Sequence, residues 1–237
     1  MRTSMKIALG IIGEDPEIYA PITATNPTVF VPLQYAVNPD TDEQILFQDA
    51  ACTVPVTAIG QPIGGVMWDG EIVAVQTTDA RRPLWLGEQG AYFDGVDDFL
   101  SVAFASGGSA HSVSMSWRAA GELEIGDRMY AAGSTASNVQ RRLSEQLALR
   151  TSSTTELRLS NQDFSEFQTL IGVHDTTSIL RQGASEMSDD IGAPADISSI
   201  TIASRGEADH AVINCRWMAI YDSSIDLSTR TVLEDAA

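Results

Sequence analysis

"HSVSMSWR", residues 111–118, alternates without a break: Val113, Met115 and Trp117 fall on one side and Ser112, Ser114 and Ser116 on the other. Two is the side-chain period of a β-strand, so the stretch predicts a half-buried strand with its serines toward water. Other runs agree. "ELRLS" (156–160) alternates through Leu157 and Leu159, and "SITIAS" (199–204) is a short β-rich run. "AVINCRWMAIY" (211–221) is apolar at both parities, which suits a strand covered on both faces. Turn formers punctuate the chain between these runs: "SGGS" at 106–109, "GST" at 133–135, "RGEAD" at 205–209. Many short strands separated in this way predict an all-β antiparallel sandwich.

Helix signals are sparse. "NVQRRLSEQLALR" (138–150) sets Val139, Leu143 and Leu147 at helical spacing but Leu147 and Leu149 at strand spacing, and is read as a loop followed by a strand. "DLSTRTVLEDAA" at the end predicts a short helix with Ser228 as N-cap. The first 45 residues carry Pro16, Pro21, Pro27, Pro32 and Pro39 among β-branched residues. Proline is excluded from central strands, so residues 1–45 are expected to form an extended N-terminal arm or edge-strand region. Residues 46–237 form the expected globular body. Val29, Phe30 and Val31 are the arm residues suited to edge pairing with a neighbouring protein during assembly.

The 237 residues carry a net charge of −18, with Lys6 the single lysine. Such acidity disfavours nucleic acid and anionic membranes, both of which would repel the chain. No apolar run is long enough for a membrane helix. The opening "MRTSMKIALGIIGEDPEIYAP" has a short apolar run, Ile7–Ile12, followed at once by Glu14 and Asp15 without a small-residue cleavage site. It reads as mature sequence rather than a signal peptide. Cys52 and Cys215 have no cysteine or histidine at metal-ligand spacing, and a disulfide between them is left open.

Two stretches resemble known families. "ILFQDAACTVPVTAIGQPIGGVM" (45–67) is similar to a leader of phage and prophage virion proteins, of the pattern LxQDxxGTxPVTAxGQPVGxxxD, that precedes a jelly-roll; here Ala51-Cys52 replaces the small-Gly pair. From about 90 to 235 the chain resembles the laminin-G-like, concanavalin A-like jelly-roll family. The resemblance rests on "YFDGVDDFLSV", "HSVSMSWRAAG", "LALRTSSTTELRLS" and "CRWMAIYDSSIDLSTRTVLED", in the family's order. It implies a jelly-roll sandwich on a virion surface component: a spike, fibre or tail-associated part assembled in the bacterial cytoplasm. Its implied partners are other virion proteins, copies of itself in a homo-oligomer, and host cell-surface polysaccharide. The rival, of a different functional class, is a purely structural decoration or connector protein of the particle, whose jelly-roll packs against neighbours.

Asp94, Asp97 and Asp98 crowd the turn of "AYFDGVDDFLSVAF" (91–104). The leading expectation is a strand–turn–strand corner, because Asp-Gly is a favoured turn pair. No cofactor is expected; a calcium ion held by these three carboxylates is the alternative. Nothing carries the paired acids of a jelly-roll glycosidase: Glu122 and Glu124 in "GELEIGD" sit between glycines at an expected hairpin, and His111, His174 and His210 are scattered. The chain is therefore expected to be no enzyme, with a divergent glycosidase as the distant alternative. For carbohydrate contact the candidates are Trp85 and the tip residues Arg205, Asp209 and His210, because sugar sites need an aromatic platform with a few polar groups on loops. Trp117 and Trp217 are expected in the core, while Trp68 has a loop-like context similar to that of Trp85.

Overall fold

The computed structural model describes residues 19–104, 110–132, 137–143, 145–151, 155–192, 194, 197–204 and 209–236. In chain order the first strands are β1 (Val29–Pro32), β2 (Leu46–Phe47), β3 (Gly65–Trp68), β4 (Glu71–Val75), β5 (Leu84–Trp85), β6 (Ala91–Asp94) and β7 (Leu100–Ala103). Then come β8 (His111–Ala119), β9 (Arg128–Ala132), β10 (Ser137–Leu143), β11 (Gln146–Arg150) and β12 (Glu156–Ser160). The last are β13 (Gln168–His174), β14 (Ser178–Gln182), β15 (Ser185–Asp189), β16 (Ser199–Ile202) and β17 (Val212–Tyr221). Two helices, α1 (Ala20–Thr23) and α2 (Leu227–Asp235), stand at the two ends of the described chain.

The strands pair antiparallel into two sheets. One runs β15-β14-β13-β8-β17-β6-β5, with β1 added beside β17; the other runs β12-β11-β10-β9-β16-β7-β4-β3-β2. They pack face to face as a β-sandwich of the jelly-roll kind, with Val113, Met115, Met218 and Ile220 from one sheet and Tyr130, Val139, Leu147 and Leu149 from the other in one buried core. Trp117 and Trp217 are both fully buried, and β17 is covered on both faces, as apolar residues at both parities predict.

β8 departs from expectation. Its serines are as buried as its apolar residues. The last segment of the chain folds back across Ser112, whose Oγ donates to the Ser223 carbonyl (2.8 Å) and accepts from the Ile225 amide (3.2 Å). On the adjacent β13, Thr169 Oγ1 donates to the carbonyl of Leu233 in α2 (3.1 Å). Ser112 and Thr169 add little bulk and satisfy their hydroxyls on the returning segment, whereas the buried hydroxyls of Ser114 and Ser116 make no hydrogen bond. The N-cap of α2 is Asp226, which accepts from the Thr229 amide (2.8 Å), and not Ser228. The 138–150 stretch is also different: β10 and β11 form a hairpin, and the expected loop is a strand whose alternation is broken by bulges near Gln140 and Leu143.

Across the sandwich, Tyr130 Oη meets His174 Nε2 at 2.9 Å, and the His174 ring stacks on His111 with centroids 4.5 Å apart. Gly172 makes this possible: a Cβ there would sit 2.0 Å from Tyr130 Oη. Burial and the neighbouring His111 hold His174 well below the usual histidine range.

The described part of the expected arm, from residue 19, is built into the sandwich. Val29–Pro32 pairs with Trp217–Ile220, so the edge pairing foreseen for Val29, Phe30 and Val31 is made within the chain. Phe30 and Val31 are buried in its core, and Val29 is half-buried. Tyr19, Phe30 and Trp68 meet edge to face at 5.0–5.6 Å between centroids, which makes Trp68 a packing residue that ties this segment to the β3–β4 hairpin. The leader-like stretch does not precede the sandwich but belongs to it, supplying β2 and β3. Its Asp49 accepts from the Thr53 and Val54 amides (2.9 and 2.7 Å), and Gln61 Oε1 accepts from the Thr57 and Ala58 amides (2.7 and 3.0 Å). Cys52 and Cys215 are free thiols.

Candidate functional site

The aspartate corner is a turn. Asp94 Oδ1 accepts from the amides of Val96 (2.8 Å), Asp97 (3.3 Å) and Asp98 (3.5 Å), and Asp98 Oδ2 accepts from the Asp94 amide (3.3 Å). Gly95 takes φ +75, a value only glycine adopts cheaply. The three carboxylates come within 4.8 Å of one another, a spacing a calcium ion could bridge. Burial first, then the Asp94 charge, push Asp98 up to about 7. Arg81 lies 3.9 Å from Asp97 and supplies positive charge at the rim.

The tip candidates do not join Trp85. Arg205 lies outside the described residues. Asp209 faces Arg128, its Oδ2 3.5 Å from Nη2, and His210 packs its ring against Phe99 and pairs with the backbone of Arg128. Both therefore close the end of the sandwich beside the aspartate corner. Trp85 pairs with Ala91 at the start of β6, whereas that corner follows Asp94 at its end.

Trp85 instead walls a shallow cleft of about 500 Å³ with Tyr35, Ile59 and Leu86, and Gln34, Glu88 and Gln89 line its polar side. The indole is fixed from behind by Nε1, which donates to the Gln34 carbonyl (3.1 Å). Glu88 and Gln89 are exposed on the turn between β5 and β6; Gln89 Oε1 accepts from Arg118 (3.0 Å), and the Glu88 carbonyl accepts from Arg216 (3.1 Å). Those two guanidiniums lie over the Phe167 ring, at 4.8 and 3.8 Å from its centroid. Glu88 and Gln89 stand in the same "RRPLWLGEQG" that singled out Trp85. Tyr35 carries no sequence signal toward the cleft, since it arrives from the proline-spaced segment.

A charged cluster of a different kind occupies the outer face of β10–β12. Glu156, with its side chain 4% exposed, accepts from Arg142 Nε (2.9 Å) and from Arg158 Nε and Nη2 (3.2 and 3.0 Å). Arg142 Nη2 also bonds its other oxygen, and Arg150 Nε stands 3.4 Å away. Burial alone would raise the Glu156 pKa; hydrogen bonds from Arg142 and Arg158 and the charges of Arg142 and Arg150 outweigh it and leave it lowered.

No family model matches the sequence, and no curated protein is similar to it. Solved structures do match the fold. The sialidase of Trypanosoma rangeli superposes with a TM-score of 0.57 at 13% identity, over 92% of this chain and 38% of the sialidase. Its complex with sialic acid gives 0.55 at 14% identity, over 78% and 34%. The chain thus spans little more than a third of the length of these enzymes. At such identity the likeness is one of fold, a two-sheet sandwich.

Proposed function

We propose that this protein is a non-enzymatic carbohydrate-binding sandwich on the surface of a phage or phage-like particle, where it contacts host-cell polysaccharide. The observation that carries the reading is the cleft walled by Tyr35 and Trp85. Flat aromatic faces match the C–H faces of sugars, and exposed amide and carboxylate groups such as Gln89 and Glu88 match their hydroxyls. The particle setting is supported by the virion-like leader and by the ordered jelly-roll motifs. Glu122 and Glu124, the nearest approach to paired acids in the sequence, are both exposed on the β8–β9 connection. Single sites of this shallow kind bind weakly, and copies held together on a particle raise avidity by roughly 10² to 10⁴. Binding of host polysaccharide by the purified protein, with Trp85→Ala and Glu88→Ala variants, is the test. Loss of more than about tenfold in affinity with an unchanged melting point supports the reading; equal adsorption of wild-type particles to glycan-bearing and glycan-stripped cells defeats it.

One observation favours a second reading. Ile59 is 69% exposed on the cleft wall beside Trp85 and Leu86. An apolar rim of this kind also suits docking of another particle protein, as a decoration or connector would need. Particles assembled with Ile59→Ser would then lose this protein while its glycan binding stays intact.

A further inference from the structure

Three of the chain's arginines meet on one open sheet face of a molecule whose net charge is −18. Strand register brings them together. Arg150 lies opposite Glu156, Arg158 lies opposite Ala148 one step along the same face, and Arg142 reaches in from the bulge of β10. One carboxylate serves three guanidiniums, so the cluster carries a local charge of +2. Each guanidinium offers five N–H donors in a planar fork, and Glu156 takes two from Arg142 and two from Arg158. Arg150 Nε, although buried, makes no hydrogen bond. The arginine side chains keep 33%, 28% and 52% of their surface at positions 142, 150 and 158. Donors here outnumber acceptors; Arg150 Nε is itself covered, and a ligand would reach the solvent-exposed parts of the three side chains.

We infer that the Arg142–Arg150–Arg158 face is a second subsite, which takes the carboxylate of a single acidic sugar residue within an otherwise neutral glycan. The inference rests on the glycan reading above and narrows its substrate class. A planar carboxylate matches the guanidinium fork with two parallel bonds. Sparse acid is favoured over dense polyanion for an electrostatic reason. The field of the whole chain repels a polyanion along its length, whereas charges beyond about 8–10 Å are screened at physiological salt. One carboxylate at the patch therefore feels mainly the local excess of positive charge.

The test compares a uronic-acid-bearing oligosaccharide with its carboxyl-reduced neutral twin, with acetate and with a densely sulfated polysaccharide, by titration against the arginine Nε–H signals. The expected result is roughly tenfold tighter binding of the uronate than of its twin, a difference that Arg150→Ala and Arg158→Ala abolish. Neutral binding and its dependence on Trp85 should be untouched in both variants. Equal binding of uronate and twin, acetate binding as tight as uronate, or preference for the sulfated chain would each overturn the inference. Failure of the aromatic-cleft reading looks different: the neutral twin would not bind, while uronate still moved the arginine signals.

Discussion

β8 and β13, at the centre of one sheet, and β10–β12, at the edge of the other, both present polar side chains, yet only the second set meets solvent. The serines of β8 are buried, Ser112 under the returning C-terminal segment, and His111 and His174 lie between the sheets. Arg142, Arg150 and Arg158 stand open around Glu156. The difference lies in side-chain size and charge. A small hydroxyl can be buried, whether bonded to backbone, as Ser112 is with Ser223 and Ile225, or without a partner, as at Ser114 and Ser116, and a neutral imidazole can be buried against a phenol. Three guanidiniums sharing one carboxylate cannot be covered by apolar packing without leaving charge unpaired. Polarity in the sequence therefore marks two outcomes here, closure and exposure, and the chemistry of the group decides between them.

The largest test removes the cover. Leu233 is fully buried where α2 crosses β13. Leu233→Ala should cost about 2 to 5 kcal/mol in urea unfolding, the range for buried leucines, and should speed exchange of the β8 and β13 amides. A loss within 0.5 kcal/mol, on the scale of ordinary surface changes (about that size), would mean that the serine face is stable without its helix. A smaller effect is expected on the open face. Glu156→Gln leaves three guanidiniums facing a neutral amide. Because the arginines are partly solvated, the cost should be about 1 to 2 kcal/mol, and added salt should recover part of it by screening their repulsion. A salt-independent loss would point to packing and not to charge.

Much of this arrangement was legible in the sequence. The alternation of 111–118 and the double apolar parity of 211–221 each specify a strand, because side-chain period follows directly from backbone geometry. Which face of β8 would be covered was not legible, since that depends on where a helix more than a hundred residues later comes to rest. The strand at 138–143 was hidden by the bulges that break its period. For the site, Trp85 was legible from its turn context, but its partner Tyr35 comes from a segment whose prolines suggested a detached arm. Arginines at 142, 150 and 158 look scattered along the chain; hairpin register alone makes them neighbours.

The smallest effect concerns pH and contrasts the buried histidine with the aspartate corner. His174 has a folded pKa well below 6.5, so as pH falls through about 6.5 the unfolded chain takes up a proton that the native state refuses. Stability is full above that pH and is lost below it, by about 1.4 kcal/mol per pH unit for one proton. Asp98 acts in the opposite sense. Its pKa is raised from 3.8 to about 7, so its contribution is full below 3.8 and is lost as pH rises toward 7. Between pH 5.5 and 6.5 the native state therefore holds a proton on Asp98 and none on His174, while the unfolded chain does the reverse. The two slopes cancel, and the wild-type protein should show nearly constant stability across this window. Asp98→Asn removes one side of the balance while keeping an acceptor for the Asp94 amide. That variant should lose about 1 kcal/mol between pH 7.5 and 5.5, measured by urea unfolding at each pH. If its slope matched the wild type, the histidine stack would be taking up its proton without cost, and β13 would have to be as open to water as the arginine face.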